Sequence, residues 1–129
     1  MNILIINGSP RKKGLISQML DMMREVAEKK GDQVQTVYIN DLSIKPCIGC
    51  MACRTKLKCS IAEDDSQLTL RMIQDADAVI MGAPCYWGNI PGQMKLHKNI
   101  FIKQTGFIQN FSSYKHIRTG NISHFFYFV

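Results

Sequence analysis

Ile3-Leu4-Ile5-Ile6, an unbroken apolar and mostly β-branched run that stops at Asn7-Gly8-Ser9-Pro10, constrains the fold more than any other stretch. A run without polar alternation suits a parallel strand buried on both faces, and parallel neighbours require helical crossovers. After the polar loop Arg11 to Gly14, apolar residues at Leu15, Ile16, Met19, Leu20, Met23, Val26 and Ala27 recur at helical spacing. The stripe ends at Lys29-Lys30-Gly31, basic residues followed by a glycine stop. Val34 to Ile39 reads as a second strand, so the segment forms a βαβ unit, expected to be right-handed.

An irregular cysteine-rich segment follows, from Asp41 to Ala62. Asp64-Asp65-Ser66 then offers caps for a helix carrying Leu68, Leu70, Met72 and Ile73. Ala76 to Met81 is a third apolar strand, ended by Gly82-Ala83-Pro84, and Gln93-Met94-Lys95 opens another helix. Together these predict an α/β three-layer sandwich on a parallel sheet with core order 2-1-3. Met19, Met23 and Met72 read as core packing, and Cys85 as a small packed side chain.

At 129 residues the chain is one domain at most, and short for five strands with helices on both faces. Residues 1–95 carry all ten acidic side chains and no Phe, whereas 96–129 hold all six Phe and all three His. The shift sets 96–129 apart as an atypical tail, read in a shifted frame or otherwise replacing an original C-terminal half. Strands four and five are not recognisable there, although Ile122 to Val129 could pair as one strand. Without those strands, the apolar edge of strand three is expected to be bare. His97, His116 and His124 receive no role.

The net charge of +6 forms no single run and no aromatic-basic motif accompanies it, which reads as a solvated surface rather than a nucleic-acid site. The apolar start is too short for a signal peptide and no stretch of about 18 apolar residues occurs, so a cytoplasmic protein without a membrane partner is expected. Thiols stay reduced there, which directs attention to metal or redox roles for five cysteines.

Three segments carry candidate chemistry. Asn7 to Gly14 lies between strand one and helix one, where converging N–H groups and a helix dipole favour phosphate. Ser9 and Ser17 add hydroxyls, Arg11 a guanidinium, and Gly8 allows close approach. The second segment, Pro84-Cys85-Tyr86-Trp87-Gly88-Asn89, follows strand three and flanks the same switch point, with aromatic rings suited to a flat heterocycle. The third is Cys47-x2-Cys50-x2-Cys53-x5-Cys59. Its spacing suits a [4Fe–4S] cluster, metal-free exchanging thiols, or zinc, and Arg54, Lys56 and Lys58 would favour thiolates.

Taken together, NGSPRKKG, CIGCMAC with Cys59, the DDS helix start and APCYWGNIPGQMK resemble the NADPH-dependent FMN reductase and multimeric-flavodoxin group, in its iron–sulfur flavoprotein branch. The resemblance covers residues 1 to about 95 and implies a flavodoxin-like fold. It implies FMN phosphate at Ser9, Arg11 and Ser17, and isoalloxazine and ribityl contacts at Pro84, Cys85, Tyr86, Trp87, Gly88 and Asn89. In some members the cysteine motif holds a [4Fe–4S] cluster, which implies Cys47, Cys50, Cys53 and Cys59. The expected activity is electron transfer from NAD(P)H through FMN to a small-molecule or protein acceptor, in a homo-oligomer, with no catalytic acid or base. A non-enzymatic flavin or iron–sulfur carrier and an inactive truncated product are the alternatives.

Overall fold

The structure, a computed structural model, describes residues 1–56, 59–61 and 64–97, and the backbone of 124–128. Strand β1 (Asn2–Asn7) leads into helix α1 (Leu15–Lys29) and strand β2 (Gln33–Tyr38), followed by a 3-10 turn at Ile39–Asp41. A short helix α2 (Ala52–Lys56) precedes helix α3 (Asp65–Asp75) and strand β3 (Ala78–Gly82). Residues 92–97 are helical, and strand β4 spans His124–Phe128.

All neighbouring strands run parallel, in the order β2-β1-β3-β4. The expected 2-1-3 core is present. The expected bare edge is not: β4 pairs along β3 from Ala78 opposite His124 to Gly82 opposite Phe128. The tail thus supplies a fourth strand, while residues 98–123 lie outside the described residues.

Alternate residues divide the two faces of the sheet. Leu4, Ile6, Val79 and Met81 cluster with Leu70 and Ile73 of α3. On the other face Ile3 borders Met19 and Met23 of α1, and Gly82 lies under Leu20. The sheet is therefore sandwiched between α1 and α3. Ile6, Ile73 and Val79 are fully buried, each contributing about 1.5–3 kcal/mol relative to exposure.

Both helices end as their sequences direct. Asp64 caps α3 by accepting from the Ser66 N–H at 3.0 Å. At the end of α1, Gly31 adopts φ +87, its N–H bonding Glu28 C=O at 2.9 Å while Asp32 N–H bonds Ala27 C=O at 3.1 Å. That is a Schellman ending, which requires the left-handed glycine. Helix α1 departs from expectation on its outer side. Leu20 is buried, but Leu15, Met19, Met22 and Val26 are exposed, because the apolar perimeter is wider than the sheet covers. Among the described residues no helix is long and apolar enough to cross a membrane.

Candidate functional site

The C-terminal ends of β1 and β3 lie side by side, with Asn7 opposite Gly82 in the register. The Gly8 N–H donates to Gly82 C=O at 2.7 Å, continuing the ladder past the strands. A Cβ on Gly8 would sit 3.0 Å from the Ala83 Cβ and 3.1 Å from the Met94 sulfur. Glycine there lets the two loops meet at van der Waals distance.

The first loop is held from inside. The Asn7 side chain is 1% exposed; its Nδ2 donates to Ser17 Oγ at 2.9 Å and its Oδ1 accepts from the Ser9 N–H at 2.9 Å. Ser17 is fully buried and its hydroxyl donates to Arg11 C=O at 2.9 Å. The Ser9 hydroxyl accepts from the Arg11 N–H and donates to Arg11 C=O, both at 3.2 Å. Ser9 and Ser17, expected at the phosphate, have their hydroxyls bonded within the loop in this structure. Sequence reading assigned no role to Asn7. The available signal was a polar residue ending a strand buried on both faces, which must find an internal partner.

The loop opens onto a helix end without a side-chain cap or an acidic residue in the first turn. The first bond into the turn runs from the Gln18 N–H to Gly14 C=O at 3.0 Å, so the amides of Leu15, Ile16 and Ser17 precede it. The helix dipole places partial positive charge there. Arg11 is exposed beside this end, with no ion-pair partner among the described residues. Lys12 turns away, pairing with Asp41 at 2.6 Å and lying 5.3 Å from the Tyr38 ring centre.

The second loop is a tight reversal. Tyr86 and Asn89 exchange backbone bonds of 2.7 and 3.0 Å around Trp87 and Gly88, whose φ angles are 50 and 72. Both central residues are left-handed, as in a type I′ turn; glycine accepts this freely and tryptophan does not. Trp87 is fully exposed and Tyr86 about half so. The rings therefore do not cap the sheet end. Cys85, read as packed, is exposed instead, because the chain leaves the sheet at Pro84.

The cysteines differ in exposure. Cys53 is buried, Cys50 is exposed with its sulfur 2.9 Å from the Ser60 hydroxyl, and Cys47 and Cys59 are half-buried. No disulfide joins them, and among the described residues no group of three or more His, Cys, Asp or Glu is placed to hold a metal ion. As placed here, the four thiols form no assembled metal site.

His97, given no role in the sequence, is buried on the 92–97 helix, its Nδ1 without a hydrogen-bond partner. Burial pushes its pKa from 6.5 down to about 4.

The sequence profile of the NADPH-dependent FMN reductases matches residues 1–101, spanning both loops. The chain belongs to this family. An iron–sulfur flavoprotein of Archaeoglobus fulgidus is 39% identical over 95 residues, covering 74% of this chain and 46% of that protein. One from Methanosarcina thermophila is 34% identical over 109 residues, covering 83% of this chain and 56% of that protein. The chain thus spans about half the length of these relatives. Among solved structures, a flavone reductase superposes with a TM-score of 0.64 at 20% identity, over 81% of this chain and 31% of that one. An FMN-dependent NADH-azoreductase from Bacillus anthracis in complex with FMN superposes with a TM-score of 0.60 at 13% identity, over 79% of this chain and 56% of that one. These likenesses show the flavodoxin-like fold.

Proposed function

We propose that the family member studied here binds FMN between its two loops and serves flavin-dependent electron transfer from NAD(P)H to a small-molecule or protein acceptor. One observation carries the reading most directly: of two adjacent parallel strands, one leads into the uncapped N-terminus of a 15-residue helix and the other into an aromatic turn. Ligands on open α/β sheets occupy this position, where the strand order reverses. The donor set suits the cofactor, with amides and Arg11 for phosphate and exposed rings for a flat heterocycle.

FMN, when bound, accepts hydride and passes electrons onward; the chain's own task is to hold and orient it. The first-turn amides of α1 and the Arg11 guanidinium hold the phosphate. The Tyr86–Asn89 turn would lie against the ring, with Trp87 available for stacking. No side-chain acid or base is required, and none is assigned.

The test is NADPH oxidation by the FMN-loaded protein with a dye acceptor. Oxidation that depends on both FMN and protein supports the enzyme. Retained flavin without oxidation points instead to a carrier, and failure to retain FMN contradicts the site.

A further inference from the structure

A buried asparagine is an uneconomical way to end an apolar strand unless both halves of its amide are used. Here both are. Asn7 Nδ2 reaches Ser17 in the first turn of α1, and Asn7 Oδ1 receives the Ser9 N–H at the start of the loop. Ser17 passes the connection to Arg11 C=O, which also receives the Gly14 N–H at 2.9 Å. One side chain thereby fixes the strand end, the loop and the helix end relative to each other.

We infer that Asn7 is a positioning residue that holds this loop against the start of α1, so that the first-turn amides of the helix face the phosphate of a flavin mononucleotide. The inference rests on the FMN reading above and adds what makes the site prefer a phosphorylated flavin to an unphosphorylated one. Asn7 is too buried to touch a ligand. The Ser9 and Ser17 hydroxyls already have internal partners, so phosphate recognition rests on the first-turn N–H groups and Arg11. Amides discriminate only when their directions are fixed, because preorganised donors avoid the entropy of ordering. The amide is specific in this place. Leucine would leave the Ser9 N–H without a partner, and aspartate would keep the acceptor but lose the donor to Ser17.

The experiment compares FMN and riboflavin, which share the isoalloxazine and ribityl but differ in the phosphate. Dissociation constants come from quenching of flavin fluorescence on the wild-type chain, Asn7→Ala and Asn7→Asp. Expected are a wild-type preference for FMN, a loss of that preference by about tenfold in Asn7→Ala, and riboflavin affinity within about twofold. Unchanged riboflavin binding also shows that the variant is folded, which a merely structural defect would not allow. Should Asn7→Ala lose both ligands, Asn7→Asp decides: a selective loss of FMN supports the inference, and full FMN preference overturns it. FMN preference retained in Asn7→Ala overturns the inference and leaves the FMN reading standing. A wild-type chain that does not prefer FMN overturns both.

Discussion

Gly8 is the residue at which the two loops depend most on one atom being absent. Gly8→Ala would force a methyl to 3.0 Å from the Ala83 Cβ, an atom fixed to the backbone. The expected destabilisation is about 1–3 kcal/mol, read from urea unfolding. Arg11→Ala removes an exposed guanidinium that has no ion-pair partner among the described residues. Its unfolding midpoint should stay unchanged while FMN affinity falls about tenfold and riboflavin affinity holds. Equal affinity for FMN before and after the change would remove Arg11 from the phosphate site. His97 makes stability depend on acidity. Its folded pKa of about 4 lies below the ordinary 6.5, so the unfolded chain takes up the proton first. Stability from this group is complete above about pH 6.5 and declines as pH falls toward 4, by up to about 3 kcal/mol. The difference in unfolding free energy between wild type and His97→Leu should narrow or reverse across that window. A constant difference from pH 7 to about 4 would contradict the buried neutral imidazole.

Among the elements, α3 is fastened at its start more than along its length. Asp64 accepts from Ser66 and, through Oδ2, from the Lys45 N–H at 2.9 Å, while Asp65 accepts from the Ser43 N–H at 2.6 Å. The helix cap therefore also anchors the entrance to the cysteine segment. Asp64→Ala should lower stability by about 1–2 kcal/mol and raise hydrogen exchange at Lys45 as well as in the first turn. These elements were legible because each carries its own local signal. The Asp-Asp-Ser start, the Lys-Lys-Gly stop and the unbroken apolar strands need no distant partner to be read. Met19 was misjudged, and Asn7 passed over, for the opposite reason. Periodicity showed that Met19 belongs to an apolar stripe, but how far a sheet reaches across a helix is a tertiary fact. Asn7 opened the candidate phosphate segment without a role of its own, and its bonds exist only because α1 returns over the strand end. Trp87 was legible as part of the loop after β3, but its left-handed backbone is not encoded in its type.

At the scale of the molecule, β4 shows what a compositional break hides: a strand in an atypical tail pairs with β3 along five residue positions. Its partner is more than forty residues earlier, beyond any local pattern. The outer side of α1 remains apolar, with Leu15, Met19, Met22 and Val26 exposed at spacings of four, three and four residues. Such a patch favours association, so Met22→Glu should reduce self-association in sedimentation without altering FMN binding. The account stands or falls on whether the two loops hold FMN in a chain spanning about half the length of its relatives. The direct measurement mixes FMN with the purified protein, removes free flavin by gel filtration, and records the visible spectrum of the protein peak. Flavin bands that travel with the protein, and that a matched riboflavin sample lacks, are the predicted result. A colourless protein peak with all the FMN left on the column would contradict the site.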